Sequence, residues 1–311
     1  MNFIVFPGQG SQRIGMGKEL SNNFSEAREV FEEVNESINF NLTKIMWEGT
    51  ESEIARTSNA QPALMACSVA AFRVLLKLTE KKLPELADYI CGHSLGEYTA
   101  MTIAEVFSLK KCSSLLRLRG QAMQEAVPEG YGAMAAFIGV DVKTTNEILR
   151  QVEDYGICDI GNDNSEGQVV ISGELLAVEK AIELSKKYGV KRAVKLSVSA
   201  PFHCRLMKPA QEKMREAFKT TDFKSPKIPI VSNITASPET NINKLRSNLI
   251  DQVVGTVRWR ETMKFANKMG TKKIIELGSG KVLTGIAKRM VENVETINIE
   301  KPDDYDNFLN S

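Results

Sequence analysis

The chain has 311 residues, is 42% hydrophobic and 25% charged, and carries 40 Lys and Arg against 39 Asp and Glu. Those values fit one large or two smaller globular domains and disfavour a disordered, collagen-like or membrane-embedded chain. A net charge of +1 argues against a dedicated nucleic-acid binder. Only two histidines occur, His93 and His203, so an imidazole base has two candidates.

Short apolar runs at residues 3–6, 89–91, 228–231 and 273–277 read as buried strands. Amphipathic segments of helical length lie between them at 25–37, 61–78, 95–107, 110–127 and 204–219. This alternation predicts an α/β fold with a mostly parallel sheet covered on both faces. After Pro128-Glu129-Gly130 the order changes to strand 133–140, helix 142–153, strands 157–161 and 168–172, helix 175–188 and strand 191–197. That β-α-β-β-α-β order is ferredoxin-like. It predicts a small domain at 128–198, inserted into a larger one formed by 1–127 and 199–311.

The first residues carry no cationic stretch leading into an apolar one of signal-peptide length, and no apolar run reaches transmembrane length. The five cysteines form no C-x-x-C pair. A cytoplasmic protein with reduced thiols and no structural zinc is expected.

Gly92-His93-Ser94-Leu95-Gly96 fits G-x-S-x-G, with a predicted strand before it and a helix after it. At such an elbow the serine occupies a strained turn and its hydroxyl faces the helix N-terminus. Unpaired N–H groups there favour a developing oxyanion, and the N–H of Leu95 is the natural donor. The alternative is a glycine-bracketed turn holding an ordinary serine. A nucleophilic serine needs a base. His93 adjoins it in sequence, and neighbouring side chains at a tight turn diverge, so His93 reads as a packing residue. His203 lies in a loop between the last strand of the insert and the next helix, as a base or as a surface residue.

In the helix predicted at 110–127, Arg119 has Leu115, Leu116, Ala122 and Met123 three and four positions away, an apolar face. Arg117 has polar neighbours instead. A guanidinium on the apolar face requires a partner: a structural carboxylate, or a substrate carboxylate gripped by its fork. Gly8-Gln9-Gly10 and Gly278-Ser279-Gly280-Lys281 lack the remaining residues of a dinucleotide or phosphate loop.

These residues belong to an ordered set. It runs from Phe6-Pro7-Gly8-Gln9-Gly10-Ser11-Gln12 through Gly92-His93-Ser94-Leu95-Gly96-Glu97-Tyr98 and Arg119-Gly120 with Met123-Gln124-Glu125-Ala126. It continues in Gly167-Gln168-Val169-Val170-Ile171-Ser172-Gly173, Ser232-Asn233-Ile234-Thr235, and Gln252 with Val257-Arg258-Trp259. The set resembles the malonyl-CoA:acyl carrier protein transacylase family of fatty acid synthesis over essentially the whole chain. That resemblance implies an α/β-hydrolase-like core with a ferredoxin-like insert. It implies Ser94 as nucleophile, His203 as its base and Arg119 as the ligand of the malonyl carboxylate. The backbone N–H groups of Gln9 and Leu95 would form the oxyanion hole. Gln252 would stand in for an acidic triad member, orienting the imidazole through a carbonyl oxygen.

Asn162 borders the family's site. Phe202 precedes His203 where many bacterial members carry serine, and in related polyketide synthase domains a phenylalanine there accompanies malonyl over methylmalonyl selection. The implied substrate is malonyl-CoA and the implied acceptor is acyl carrier protein, docked on a basic surface. Lys186, Lys187, Lys191, Arg192, Lys288 and Arg289 are candidates for that surface. No metal, separate cofactor, nucleic acid or membrane is expected, and the protein is expected to be a monomer. The competing readings are a serine hydrolase or thioesterase, an acyltransferase of other acyl specificity, and a carrier-binding scaffold without catalysis.

Overall fold

Ten strands build two sheets in the computed structural model, which describes residues 1–198 and 200–310. They are β1 (Asn2–Phe6), β2 (Tyr89–Gly92), β3 (Gly132–Ile138), β4 (Cys158–Ser165) and β5 (Gln168–Glu174). Then follow β6 (Arg192–Lys195), β7 (Ile230–Val231), β8 (Pro238–Glu239), β9 (Lys273–Leu277) and β10 (Glu295–Ile299). The larger sheet has the order β10-β9-β1-β2-β7-β8, parallel except for β8. β1 and β9 are buried along nearly their whole length, because helices cover both faces of the sheet centre.

Register explains how the chain assembles a site. Phe6 at the end of β1 pairs with Gly92 at the end of β2. The two parallel strands therefore release Gln9 and Ser94 at the same sheet edge, outside the carboxyl ends where α/β folds bind ligands.

The smaller sheet, β4-β5-β3-β6, is antiparallel throughout. Two helices, Val142–Arg150 and Leu175–Ser185, pack an apolar cluster around Phe137, Ile148 and Ile171 against it. Its strand order is the one a β-α-β-β-α-β unit gives when each helix crosses over one strand. Edge strand β4 also bonds to the larger unit. Val257 N–H donates to Gly161 O at 2.9 Å, and Asp163 N–H donates to Val257 O at 2.9 Å. Asn162 is thereby bridged to Val257.

The mixed α/β class with one mostly parallel and one small antiparallel sheet agrees with the sequence reading. Several element limits differ, each for a local reason. The helix expected at 61–78 runs Thr57–Thr79 and carries Pro62 inside its second turn. Proline cannot donate to the carbonyl four residues back; that orphaned Ser58 oxygen instead accepts from Arg117 Nη1 at 2.9 Å. Thr57–Thr79 is also the one described helix apolar and long enough to cross a membrane, and here it is a core helix, buried from Asn59 to Phe72. The helix expected at 95–107 stops at Ile103, where Glu105 takes a left-handed φ of 64°. The helix expected at 204–219 starts at Lys208, after one 3₁₀ turn. β10 escaped notice because Glu295-Thr296-Ile297-Asn298-Ile299 alternates polar and apolar residues, as an edge strand does.

Candidate active site

Ser94 lies between β2 and the helix Leu95–Ile103 with φ 54° and ψ −111°, a conformation that side chains seldom adopt. The turn closes because position 92 has no side chain: a Cβ on Gly92 would sit 2.0 Å from the carbonyl oxygen of Gly96. Asn233 clamps it. Its Oδ1 accepts from Ser94 N–H at 2.8 Å, and its Nδ2 donates to Gly92 O at 2.7 Å.

Ser94 Oγ is 2.7 Å from His203 Nε2. His203 Nδ1 is 2.8 Å from the main-chain oxygen of Gln252. A carbonyl can only accept, so Nδ1 carries the proton and Nε2 is left to accept from the serine hydroxyl. The orienting carbonyl is thus the backbone one, and the Gln252 side chain is used elsewhere. His203 takes a left-handed φ of 58° and is only 3% exposed.

His93 also lines the cleft but bonds elsewhere, with Nε2 2.8 Å from Asn164 Oδ1 and its ring against Trp259. Burial, and next the Arg119 guanidinium, lower the His203 pKa to about 3. The working base is the neutral ring, so a lowered pKa preserves it in mild acid. We expect labelling of Ser94 by a neutral fluorophosphonate to proceed at a nearly constant rate from about pH 8 to about pH 5. An acid limb near the ordinary imidazole value would contradict this environment.

Arg119, on the helix Leu109–Glu125, is 1% exposed. Its Nη2 donates to Gln252 Oε1 at 2.9 Å and lies 3.3 Å from Ser94 Oγ; its Nη1 donates to Gln61 Oε1 at 2.7 Å. Its Nε has no partner among the described residues. None of the described residues that bond to it is an acid, so no direct ion pair accounts for this buried cation. The only acid of the cluster, Glu97, reaches it through Gln252: Gln252 Nε2 donates to Glu97 Oε2 at 2.7 Å. Glu97 is wholly buried, and that burial raises its pKa to about 7 against the pull of its hydrogen bonds and of Arg119.

A cleft of about 320 Å³ opens in front of these groups, lined among others by Gln9, Ser94, Arg119, Asn162, Phe202 and His203. Leu95 and Gln252 sit behind its wall, almost or fully buried. Leu95 is the first residue of its helix, so its N–H has no intrahelical acceptor and faces the serine end. All eight residues singled out from sequence therefore converge on one place. Four contributors were missed: Thr57, Gln61, Glu97 and Asn233 as a clamp. The usable signal was a polar or acidic residue in an otherwise buried stretch, as Glu97 is in Leu95–Met101.

Residues 3–301 match the profile of the acyl transferase domain. A Bacillus subtilis malonyl CoA-acyl carrier protein transacylase is 41% identical over 96% of this chain and 93% of its own length. The chain belongs to the malonyl CoA-acyl carrier protein transacylase family. Among solved members of this transacylase family, an acyl-carrier-protein-S-malonyltransferase from Bartonella henselae superposes with a TM-score of 0.96 at 45% identity, covering 99% of this chain and 98% of that one. A malonyl-transacylase solved in complex with a type II polyketide synthase acyl carrier protein gives a TM-score of 0.95 at 38% identity, covering 99% of each chain.

Proposed function

We propose that this transacylase moves a malonyl group from malonyl-CoA to the phosphopantetheine thiol of acyl carrier protein. The observation that carries the reading is Arg119: a buried guanidinium, beside the serine hydroxyl, with neutral partners only. A permanently charged fork in that position is matched by a carboxylate on the acyl group.

In the first half-reaction the Ser94 oxygen attacks the thioester carbonyl carbon while His203 Nε2 takes its proton. The oxyanion sits between the N–H groups of Leu95 and Gln9. As the intermediate collapses, the C–S bond breaks and His203 returns the proton to coenzyme A. The carrier thiol then attacks the malonyl-serine, and the same steps run in reverse. One thioester is exchanged for another, so the chemistry needs no metal, redox group or ATP. Arg119 holds the malonyl carboxylate through both halves and denies water a productive position. The Phe202 ring, next to His203 in the cleft wall, crowds an α-methyl branch and disfavours methylmalonyl by about 1–3 kcal/mol.

The acidic carrier is expected to dock as a one-to-one partner of a cytoplasmic monomer, on a basic surface. The exposed candidates are Lys186, Lys187, Lys191, Arg192, Lys288 and Arg289. Following a labelled malonyl group tests the reading. It is expected to appear on the carrier thiol in preference to free malonate; accumulation of malonate at the same rate with and without carrier would make the protein a thioesterase.

A further inference from the structure

The helix Leu109–Glu125 presses on the first turn of Thr57–Thr79 at Gly120, where a Cβ would lie 2.6 Å from the Thr57 carbonyl oxygen and from Ser58 Cα. This contact sets Arg119 beside Gln61 and starts a chain of hydrogen bonds leading away from the guanidinium. Arg119 Nη1 donates to Gln61 Oε1 at 2.7 Å, and Gln61 Nε2 donates to Thr57 Oγ1 at 2.9 Å. Thr57 Oγ1 then donates to Gln9 Oε1 at 2.8 Å. Thr57 and Gln61 are 0% and 1% exposed, so a lost link leaves a buried polar group unsatisfied. All three donors point the same way, an arrangement in which each bond polarises the next.

The far end of the chain is the loop that carries the Gln9 N–H. Two more bonds shape that loop: Gly10 N–H to Gln12 Oε1 at 2.7 Å, and Ser279 Oγ to Ser11 O at 2.8 Å. Neither reaches Gln9 itself, so its side chain is tied down through Thr57. We propose that Thr57 is a positioning residue that couples the seating of a substrate carboxylate on Arg119 to the placement of the Gln9 N–H at the oxyanion. The carboxylate then aids the chemical step as well as binding. A carboxylate that fixes the guanidinium fixes Gln61, Thr57 and Gln9 in turn. An acyl group without a carboxylate leaves the chain unbiased. The coupling rests on the malonyl-transfer reading above.

Thr57→Val removes the hydroxyl at nearly constant shape, and Thr57→Ser keeps it. With malonyl-CoA and carrier, Thr57→Val is expected to lose about tenfold in kcat with little change in KM, and Thr57→Ser is expected to recover most of that loss. Acylation by p-nitrophenyl acetate, which has no carboxylate, is expected to stay within about twofold. Equal loss with both donors would reduce Thr57 to a fold-holding role, and no loss with either would break the coupling; either overturns the proposal. Thr57→Ala removes the same hydroxyl without putting a second methyl in its place, so it must show the same malonyl-selective loss if Thr57→Val does not fold. Unselective loss there also overturns it. Wild-type protein that fails to transfer malonyl sinks the functional reading and the coupling with it. Wild-type transfer alongside unselective variants sinks the coupling alone.

Discussion

Ser94→Ala is expected to abolish the covalent malonyl-enzyme altogether, with the fold intact. Ser197 also lines the cleft, but among the described residues Ser94 alone has its hydroxyl bonded to His203 Nε2. The five cysteines are buried, and burial raises the thiols of Cys67, Cys91, Cys112, Cys158 and Cys204 well above their ordinary value. His203 would keep its bond to the Gln252 carbonyl but lose the hydroxyl it activates. Removing a serine that works as a unit with its base costs orders of magnitude, so turnover should fall to the background set by binding alone. Gel analysis with radiolabelled malonyl-CoA is the check. A labelled band surviving in Ser94→Ala would remove Ser94 from the mechanism, whatever the elbow geometry implies.

Arg119→Ala separates the two meanings of a buried guanidinium. As the malonyl anchor, its loss leaves a substrate carboxylate buried without a counter-charge, a situation that costs about 2–5 kcal/mol. That corresponds to a fall in kcat/KM for malonyl transfer of about one and a half to three and a half orders of magnitude. Acetyl transfer is expected to hold or improve, because the pocket becomes neutral and larger. The fold itself should tolerate the change, since a buried cation with neutral partners is itself unfavourable. Equal loss of both transfers would mean that Arg119 serves the architecture through Gln61 and Gln252. Parallel steady-state kinetics with the two acyl donors decides between them.

How much of this was legible in the sequence follows from where each interaction is encoded. The serine elbow was legible because strand, glycine-bracketed turn and helix are contiguous, so local sequence carries the whole motif. Arg119 was legible because its helical neighbours at three and four positions reveal a buried face. The small sheet was legible from its order of strands and helices, since the crossovers dictate its topology.

The network behind the site was not legible, because its partners are distant in sequence. Gln252 Nε2 bonds to Ser94 O and Glu97, and Arg119 bonds to Gln61; none of these pairs is local. The main-chain carbonyl that orients His203 belongs to no side chain, so no residue type could announce it. Glu97 resembles any helical glutamate until the packing around it is known. The early start at Thr57 was hidden by Pro62, whose disruption is repaired by Arg117 from another helix.

The central claim is a malonyl group held on Ser94 and passed to a carrier thiol. Intact-protein mass spectrometry after brief mixing with malonyl-CoA tests it in one experiment. The account predicts a gain of a single malonyl group, localised to Ser94 and lost when phosphopantetheinylated acyl carrier protein is added, with the same gain appearing on the carrier. An unmodified mass alongside active malonyl transfer would contradict the covalent intermediate. A malonyl adduct that decays at one rate with or without carrier would contradict the acceptor.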